Sequence, residues 1–254
     1  MRKPKRSVLK LVLAYDGTGF RGWARQPGQR TVQGVVEEAL GRILGEVPRL
    51  SVAGRTDAGV HAEGQVVSFG SQEDPERVAR AVNGMLGPEV AVLRASRAPE
   101  GFDARHSATA REYRYRIRVV AAPDPFTARN VWHRPGSYRL GKMRAAARLL
   151  EGEHDFTSFS RRAPGVTPVR RLDRLPVRRV GPELVIGARA DGFLHQMVRS
   201  LVGTLVAVGE GAMEPEQMTE VLEARDRAAA GPVAPPVGLT LVGVRYGVRP
   251  GAKR

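Results

Sequence analysis

Within Ala53 to Ala62, AGRTDAGVHA, one carboxylate, Asp57, stands between Arg55 and His61, and Gly54 and Gly59 free the backbone on either side. A charged group on a bent loop, with a cation two residues away, is how a reactive acid is displayed. Spacing alone favours a plainer reading: Asp followed by Ala-Gly suits an Asx-type turn between two strands, and the arginine is then a surface partner. A second stretch with chemical promise is Gly17, Gly19 and Gly22, which keep GxGxxG spacing directly after a strand-like run. A dinucleotide fingerprint needs a helix N-terminus to receive the pyrophosphate. The residues that follow, WARQPGQR, contain Pro27 and Gly28 and cannot open one, so the dinucleotide reading fails on context.

The elements that would position Asp57 follow from hydrophobic period. Val8 to Tyr15 alternates as a strand, with Leu9, Leu11, Leu13 and Tyr15 on one face. Thr31 caps a helix whose apolar stripe runs from Val32 to Val47, with Pro48 ending it. Leu50 to Ala53 and Gln65 to Phe69 are predicted strands, which puts Asp57 on the loop joining them. Pro75 starts a second helix that ends before Gly87, and Val90 to Ala95 closes the unit as a strand. The order is β-α-β-β-α-β, the split βαβ arrangement.

The pattern then recurs. Ala110 to Val120 is a strand with Tyr113, Tyr115 and Ile117 on one face and Glu112, Arg114, Arg116 and Arg118 on the other. That arginine row is either an RNA contact or, more commonly, a solvated or partner-covered face. A helix is expected near Leu140 to Leu150, followed by the polar stretch EGEHDFTSFSRR. A hairpin pairs Val169 to Val180 with Glu183 to Ala190 around Gly181-Pro182. A strong helix carries Leu194, Met197, Val198, Leu201, Val202 and Leu205, with His195 and Arg199 off its stripe. A further helix spans Pro215 to Arg225, and Leu239 to Tyr246 is the last strand. The prediction is an α+β fold of two ferredoxin-like (split βαβ, RRM-like) halves, with antiparallel sheets joined around a central catalytic cleft. The N-terminal domain, carrying the Asp57 loop, is expected at 8–105 and the C-terminal domain at 106–248, with a basic tail at 1–7 and another tail at 249–254. The two halves share a pattern without evident sequence similarity.

Composition narrows the chemistry. A chain of 254 residues, 42% hydrophobic and 26% charged, is that of an ordered soluble protein. It has no apolar run of membrane-spanning length, and MRKPKRSVLK lacks a hydrophobic signal segment, so a cytoplasmic location is expected. Without cysteine there is no disulfide, thiolate nucleophile or cysteine metal site, and the five histidines show no HExxH-type pairing, so no metal is expected. The formal net charge of +15 makes a polyanion the first partner to consider.

The segments YDGTGFRGW, AGRTDAGVHA, FDARHSATAREYRYRI, GEHDFTSF, HQMVRSLVGTL and GLTLVGVRY, in this order, resemble those of the TruA family of tRNA pseudouridine synthases. The resemblance runs from the first strand to the last. One departure is Ala24 in GWARQ, where the family usually has Gln, which touches a local loop contact at most. The resemblance implies an isomerase that detaches uracil from its ribose at N1, turns it and rejoins it through C5, with no atom added or lost and no cofactor. It assigns Asp57 as the essential carboxylate, with attack on ribose, addition to the base and removal of a sugar proton all open to it. Arg199 matches the arginine that approaches this Asp, Arg55 a motif position, Tyr113 the tyrosine that stacks on the base, and Leu241 an apolar contact to it. The implied substrate is the 3′ side of the anticodon stem-loop of tRNA, at about positions 38 to 40, where unstacked bases are readable. The implied assembly is a homodimer with tRNA spanning both subunits. His61 reads as a structural member of the loop. A catalytically inert RNA-binding protein of two RRM-like halves is the competing reading, and it lacks an RNP1-like block. A nucleotide-dependent oxidoreductase would rest on GxGxxG alone.

Overall fold

The computed structural model describes residues 7–161 and 165–247. The expected tails, Ser7 apart, lie outside the described residues. The chain is mixed α/β, with eleven strands and five α-helices among the described residues. It divides into two compact units, one of Met1–Thr109 with Leu241–Arg254 and one of Ala110–Thr240. None of the described helices is long and apolar enough to cross a membrane.

The first unit is built on β1 (Val8–Tyr15), whose exposure alternates residue by residue, with Leu9, Leu11 and Leu13 fully buried. β1 pairs antiparallel with β3 (His61–Gly70) on one side and β4 (Val90–Ala98) on the other. The short β2 (Ser51–Val52) pairs with Val67 and Ser68 of β3. Beyond β3 lies the last strand, β11 (Leu239–Tyr246). Gly64 lets it approach, because a Cβ there would overlap the Val242 carbonyl oxygen. Two helices turn apolar faces inward: α1 (Val32–Leu44) buries Val36 and Leu40, and α2 (Pro75–Leu86) buries Val78 and Val82. The side chains of Thr31 and Asp74 cap them, as their residue types dictate. α1 stops earlier than the apolar stripe suggests: Gly45 takes a left-handed φ of 76° and ends it before Pro48 is reached, leaving Val47 59% exposed. On the other face of β1, Val12 packs, as do Phe102, Val244 and Tyr246, against a cluster of Ala53, Val66 and Ala104. The Lys10 ammonium lies 4.4 Å from the Tyr246 ring centroid there.

The second unit holds β5 (Ala108–Arg118), β6 (Trp132–His133), β7 (Gly152–Asp155), β8 (Val169–Arg174), β9 (Val177–Val180) and β10 (Glu183–Ala190). Its strands run β5-β10-β8-β7, with β9 on β10 and the two-residue β6 parallel to β5. Its helices are α3 (Leu140–Leu150), α4 (Met197–Glu210) and α5 (Gln217–Ala224). The two-faced reading of β5 holds: Tyr115 and Ile117 are fully buried, while the arginine row is half-buried. Acids of the same unit engage that row, with Arg116 bidentate on Glu183 at 2.7 and 2.8 Å and Arg118 3.6 Å from Asp124.

Three sequence expectations change here. The run Val169 to Val180 is two strands, because Pro176 has no N–H to give a ladder and the chain breaks at Leu175-Pro176. The stretch EGEHDFTSFSRR contains β7 and a 3-10 turn, Thr157–Phe159, whose first N–H donates to the Asp155 carboxylate at 2.9 Å. Finally, α4 begins at Met197 rather than Leu194, since Gln196 sits at φ 63° and cannot continue a helix backward.

α4 is apolar on nearly all sides, and one side meets backbone directly. A Cβ on Gly203 would overlap the Pro232 carbonyl oxygen, and Thr204 Oγ1 accepts the Gly231 N–H at 3.0 Å. Alanine is the better helix former by about 1 kcal/mol. Backbone cannot yield as a side-chain tip can, so overpacking of about 1–3 kcal/mol outweighs that gain. Gly203→Ala is therefore expected to lower the urea midpoint of unfolding, and a midpoint equal to or above that of the parent would refute this packing.

Candidate active site

Asp57 lies, half-buried, on the loop that joins β2 to β3. Residues 57 to 60 form a turn closed by the Val60 N–H to the Asp57 carbonyl at 3.2 Å. Gly59 stands at its third position with φ 77°, the left-handed conformation that a type II turn demands there.

The loop rests on the chain that leaves β1. The Trp23 N–H donates to the Thr56 carbonyl at 3.0 Å, and the Gly59 N–H to the Phe20 carbonyl at 3.3 Å. This contact is backbone on backbone: a Cβ on Gly17 would overlap the Val60 carbonyl, and one on Gly22 would lie 2.9 Å from the Thr56 carbonyl oxygen. Two glycines of the GxGxxG spacing thus serve the Asp57 loop. No helix follows them until α1 opens at Val32, in keeping with the rejection of a dinucleotide fingerprint.

Below the loop the polar groups are buried. The Tyr15 phenol oxygen is 2.8 Å from the Thr56 hydroxyl, and the Gln65 amide nitrogen donates to the Gly54 carbonyl at 2.6 Å. Burial pushes the Tyr15 phenol up to about 12, an effect that its hydrogen bonds to Thr56 and Gln65 partly offset. His61, at 4% exposure, accepts the Gly17 N–H on Nδ1 at 3.1 Å. The same nitrogen lies 3.2 Å from Asp16 Oδ1, a distance that would suit an ion pair. A nitrogen that accepts from a fixed backbone N–H cannot also donate, and Asp16 Oδ1 already accepts from the Thr18 N–H and hydroxyl. His61 is thus a buried strut between Gly17 and β3.

The residues that the sequence reading singled out fall as follows. Arg55 is exposed, on the same loop as Asp57. Leu241 is fully buried on β11, at the point where the chain re-enters the first unit. Tyr113 and Arg199 belong to the second unit. The Tyr113 ring lies edge-on to Phe193 with centroids 5.1 Å apart. Arg199, on α4, donates from Nε to the Ala234 carbonyl at 2.8 Å while its own carbonyl accepts the Ala234 N–H at 3.1 Å. Its charge also acts on Tyr115, whose hydroxyl donates to the Pro235 carbonyl at 2.7 Å; burial, the larger influence, drives that phenol far upward. Among the described residues no cluster of His, Asp and Glu has the makings of a metal site.

A family model described as tRNA pseudouridine synthase matches residues 11–107 and 146–247. The chain belongs to the TruA family of tRNA pseudouridine synthases. It is an isomerase of the pseudouridine-forming kind. It is 47% identical over 241 residues to the tRNA pseudouridine synthase A of Methylobacterium sp. (strain 4-46), covering 93% of this chain and 96% of that protein. It is 46% identical to that of Mesorhizobium japonicum, over 93% of this chain and 98% of the other, and 50% identical to that of Frankia casuarinae, over 94% and 89%.

Sequence reasoning passed over Tyr15, Thr56 and Gln65. One signal was available: a glutamine opening the largely apolar strand run Gln65 to Phe69 is out of place unless its amide is hydrogen-bonded. The buried phenol has a measurable consequence. Tyr15 ionises near pH 10 in the unfolded chain and near 12 in the folded one, so its contribution to stability is complete below pH 10 and drains away as pH rises through 12. Urea midpoints measured from pH 9 to 11.5 are expected to fall more steeply for the parent than for Tyr15→Phe. Parallel curves would show that Tyr15 is not held neutral.

Proposed function

We propose that Asp57 is the carboxylate through which this chain isomerises uridine in tRNA, and that its targets lie on the 3′ side of the anticodon stem-loop, at about positions 38 to 40, where bases can leave their stack. The observation that carries the assignment is the placement of Asp57 on a turn held from below and from one side by hydrogen bonds. In the reaction the N1–C1′ bond breaks, the uracil turns and the C5–C1′ bond forms. The proton lost from C5 is balanced by one gained at N1, so the chemistry asks for a fixed acid group and a floor for the loose base, with no cofactor. Tyr113 stacks on the uracil, Leu241 gives it an apolar contact, and Arg55 binds the substrate. Arg199 likewise binds the substrate, a part suited to a guanidinium fork.

Flipping the target uridine costs a few kcal/mol, which contacts in the pocket must offset. The formal charge of +15 supports affinity for the tRNA backbone. We read the protein as a cytoplasmic homodimer with tRNA spanning both subunits, and each half as ferredoxin-like. The order β4-β1-β3, with β2 on β3 and helices after β1 and β3, supports that reading for the first half.

The direct test incubates a tRNA transcript with the purified protein and no added cofactor, and maps pseudouridine. The expected product is pseudouridine in the 3′ side of the anticodon arm, absent with Asp57→Asn while tRNA binding is largely kept. Conversion by the Asn variant at the parental rate would remove Asp57 from the chemistry. Product confined to another arm would overturn the substrate assignment.

A further inference from the structure

Three side chains under the Asp57 loop are polar where apolar ones would pack at lower cost. Gln65 is 0% exposed, Tyr15 4% and Thr56 6%. Burying an amide and two hydroxyls is unfavourable unless every one is partnered, and even then the net gain per hydrogen bond is small. What such groups supply is direction.

The direction can be read from the partners. Gln65 Nε2 donates to the Gly54 carbonyl at 2.6 Å, and Gln65 Oε1 accepts the Val66 N–H at 3.1 Å. Two backbone groups therefore fix which end of the amide is which. The second N–H of Nε2 goes to the Tyr15 phenol oxygen, at 3.3 Å. The Tyr15 hydroxyl in turn shares a hydrogen bond with the Thr56 hydroxyl, 2.8 Å away, which either group can donate. Thr56 is held a second time through its carbonyl, by the Trp23 N–H. One amide thereby fixes both ends of the Gly54 to Thr56 segment, and Asp57 is the next residue.

Tyr15 reaches this place through an irregularity. Along β1 and β3, Leu13 faces Gln65 but Tyr15 faces Ala62, a register shift that gives β3 one residue more than β1 over the same span. A bulge of this kind re-aims side chains at the end of a ladder.

We propose that Gln65, Tyr15 and Thr56 form a positioning relay for the isomerisation, which sets the Asp57 carboxylate at its working place relative to the nucleoside. The proposal rests on the assignment of Asp57 above. None of the three touches substrate. Each acts through Asp57, and displacement of a reacting group by about 1 Å is enough to cost up to two orders of magnitude in rate.

The test uses Tyr15→Phe, Thr56→Val, Thr56→Ser, the double variant Tyr15→Phe/Thr56→Val, and Asp57→Asn, each assayed on a tRNA transcript. The rate is taken per folded molecule, with the folded fraction from circular dichroism. Tyr15→Phe and Thr56→Val are expected to lower kcat by about tenfold with KM unchanged, while Thr56→Ser, which keeps the hydroxyl, stays close to the parent. The double variant is expected to be no slower than the worse single one, since a broken relay cannot be broken twice. A merely structural role would lower the folded fraction and leave kcat per folded molecule at the parental value in every variant, and that result overturns the proposal. So do multiplied effects in the double variant, or equal losses in Thr56→Ser and Thr56→Val. If Tyr15→Phe does not fold, the Thr56 pair decides alone. An inactive Asp57→Asn with parental kcat in Tyr15→Phe and Thr56→Val overturns the relay only, whereas an active Asp57→Asn overturns the role of Asp57 and the relay with it.

Discussion

The first unit depends on a place where two stretches of backbone run closer than side chains allow. The chain leaving β1 lies on the 56–60 turn, and neither Gly17 nor Gly22 has room for a methyl group. Bare backbone at that distance brings N–H groups within reach of carbonyls: Trp23 holds Thr56 and Phe20 receives Gly59, while the His61 ring nitrogen takes the Gly17 N–H. The turn that carries Asp57 is thus braced by main-chain atoms, whose positions are far less variable than those of side-chain tips. A loop built in this manner keeps an exposed arginine and a half-buried acid without giving up rigidity, and rigidity is what preorganised electrostatics requires.

The polar network below the loop follows from the same constraint. With the upper side occupied by backbone, the loop has only its underside left to be fixed, and that side faces the apolar row of β1. A phenol is a suitable group for the end of such a row, since its ring continues the packing of Leu9, Leu11 and Leu13 and its hydroxyl meets Thr56. Burial holds it neutral well past its ordinary range, so the hydroxyl stays a neutral hydrogen-bonding group.

Much of this was legible in the sequence, for physical reasons that differ by element. The alternation in Val8 to Tyr15, the capping residue Thr31, Pro75 at the start of α2, and the two-faced β5 are local signals, and each produced the element it forecast. Asp57 was found on the β2–β3 connection where the strand pattern put it. What escaped notice depends on partners distant in sequence. Nothing near Gln65 announces that its amide meets Gly54 and Tyr15, and nothing in GxGxxG distinguishes a phosphate cradle from a seat for another loop. α1 ended at Gly45 because a left-handed glycine terminates a helix whatever the apolar period says. The break at Pro176 follows from its missing N–H, which the pairing of the whole run as one strand left out.

The return of the chain to the first unit from Leu241 onward has a bearing on how the protein is made. The second unit is one uninterrupted segment, Ala110–Thr240, whereas the first is interrupted by it. On a ribosome, where synthesis proceeds from the N-terminus, β1 to β4 emerge first and their sheet must wait, with the Gly64 edge of β3 uncovered, while roughly half of the protein is still being translated. An uncovered strand edge is a template for the wrong partner. The notch at Gly64 narrows that hazard, since only a strand able to bring its backbone unusually near can settle there, and β11 does so when it finally arrives.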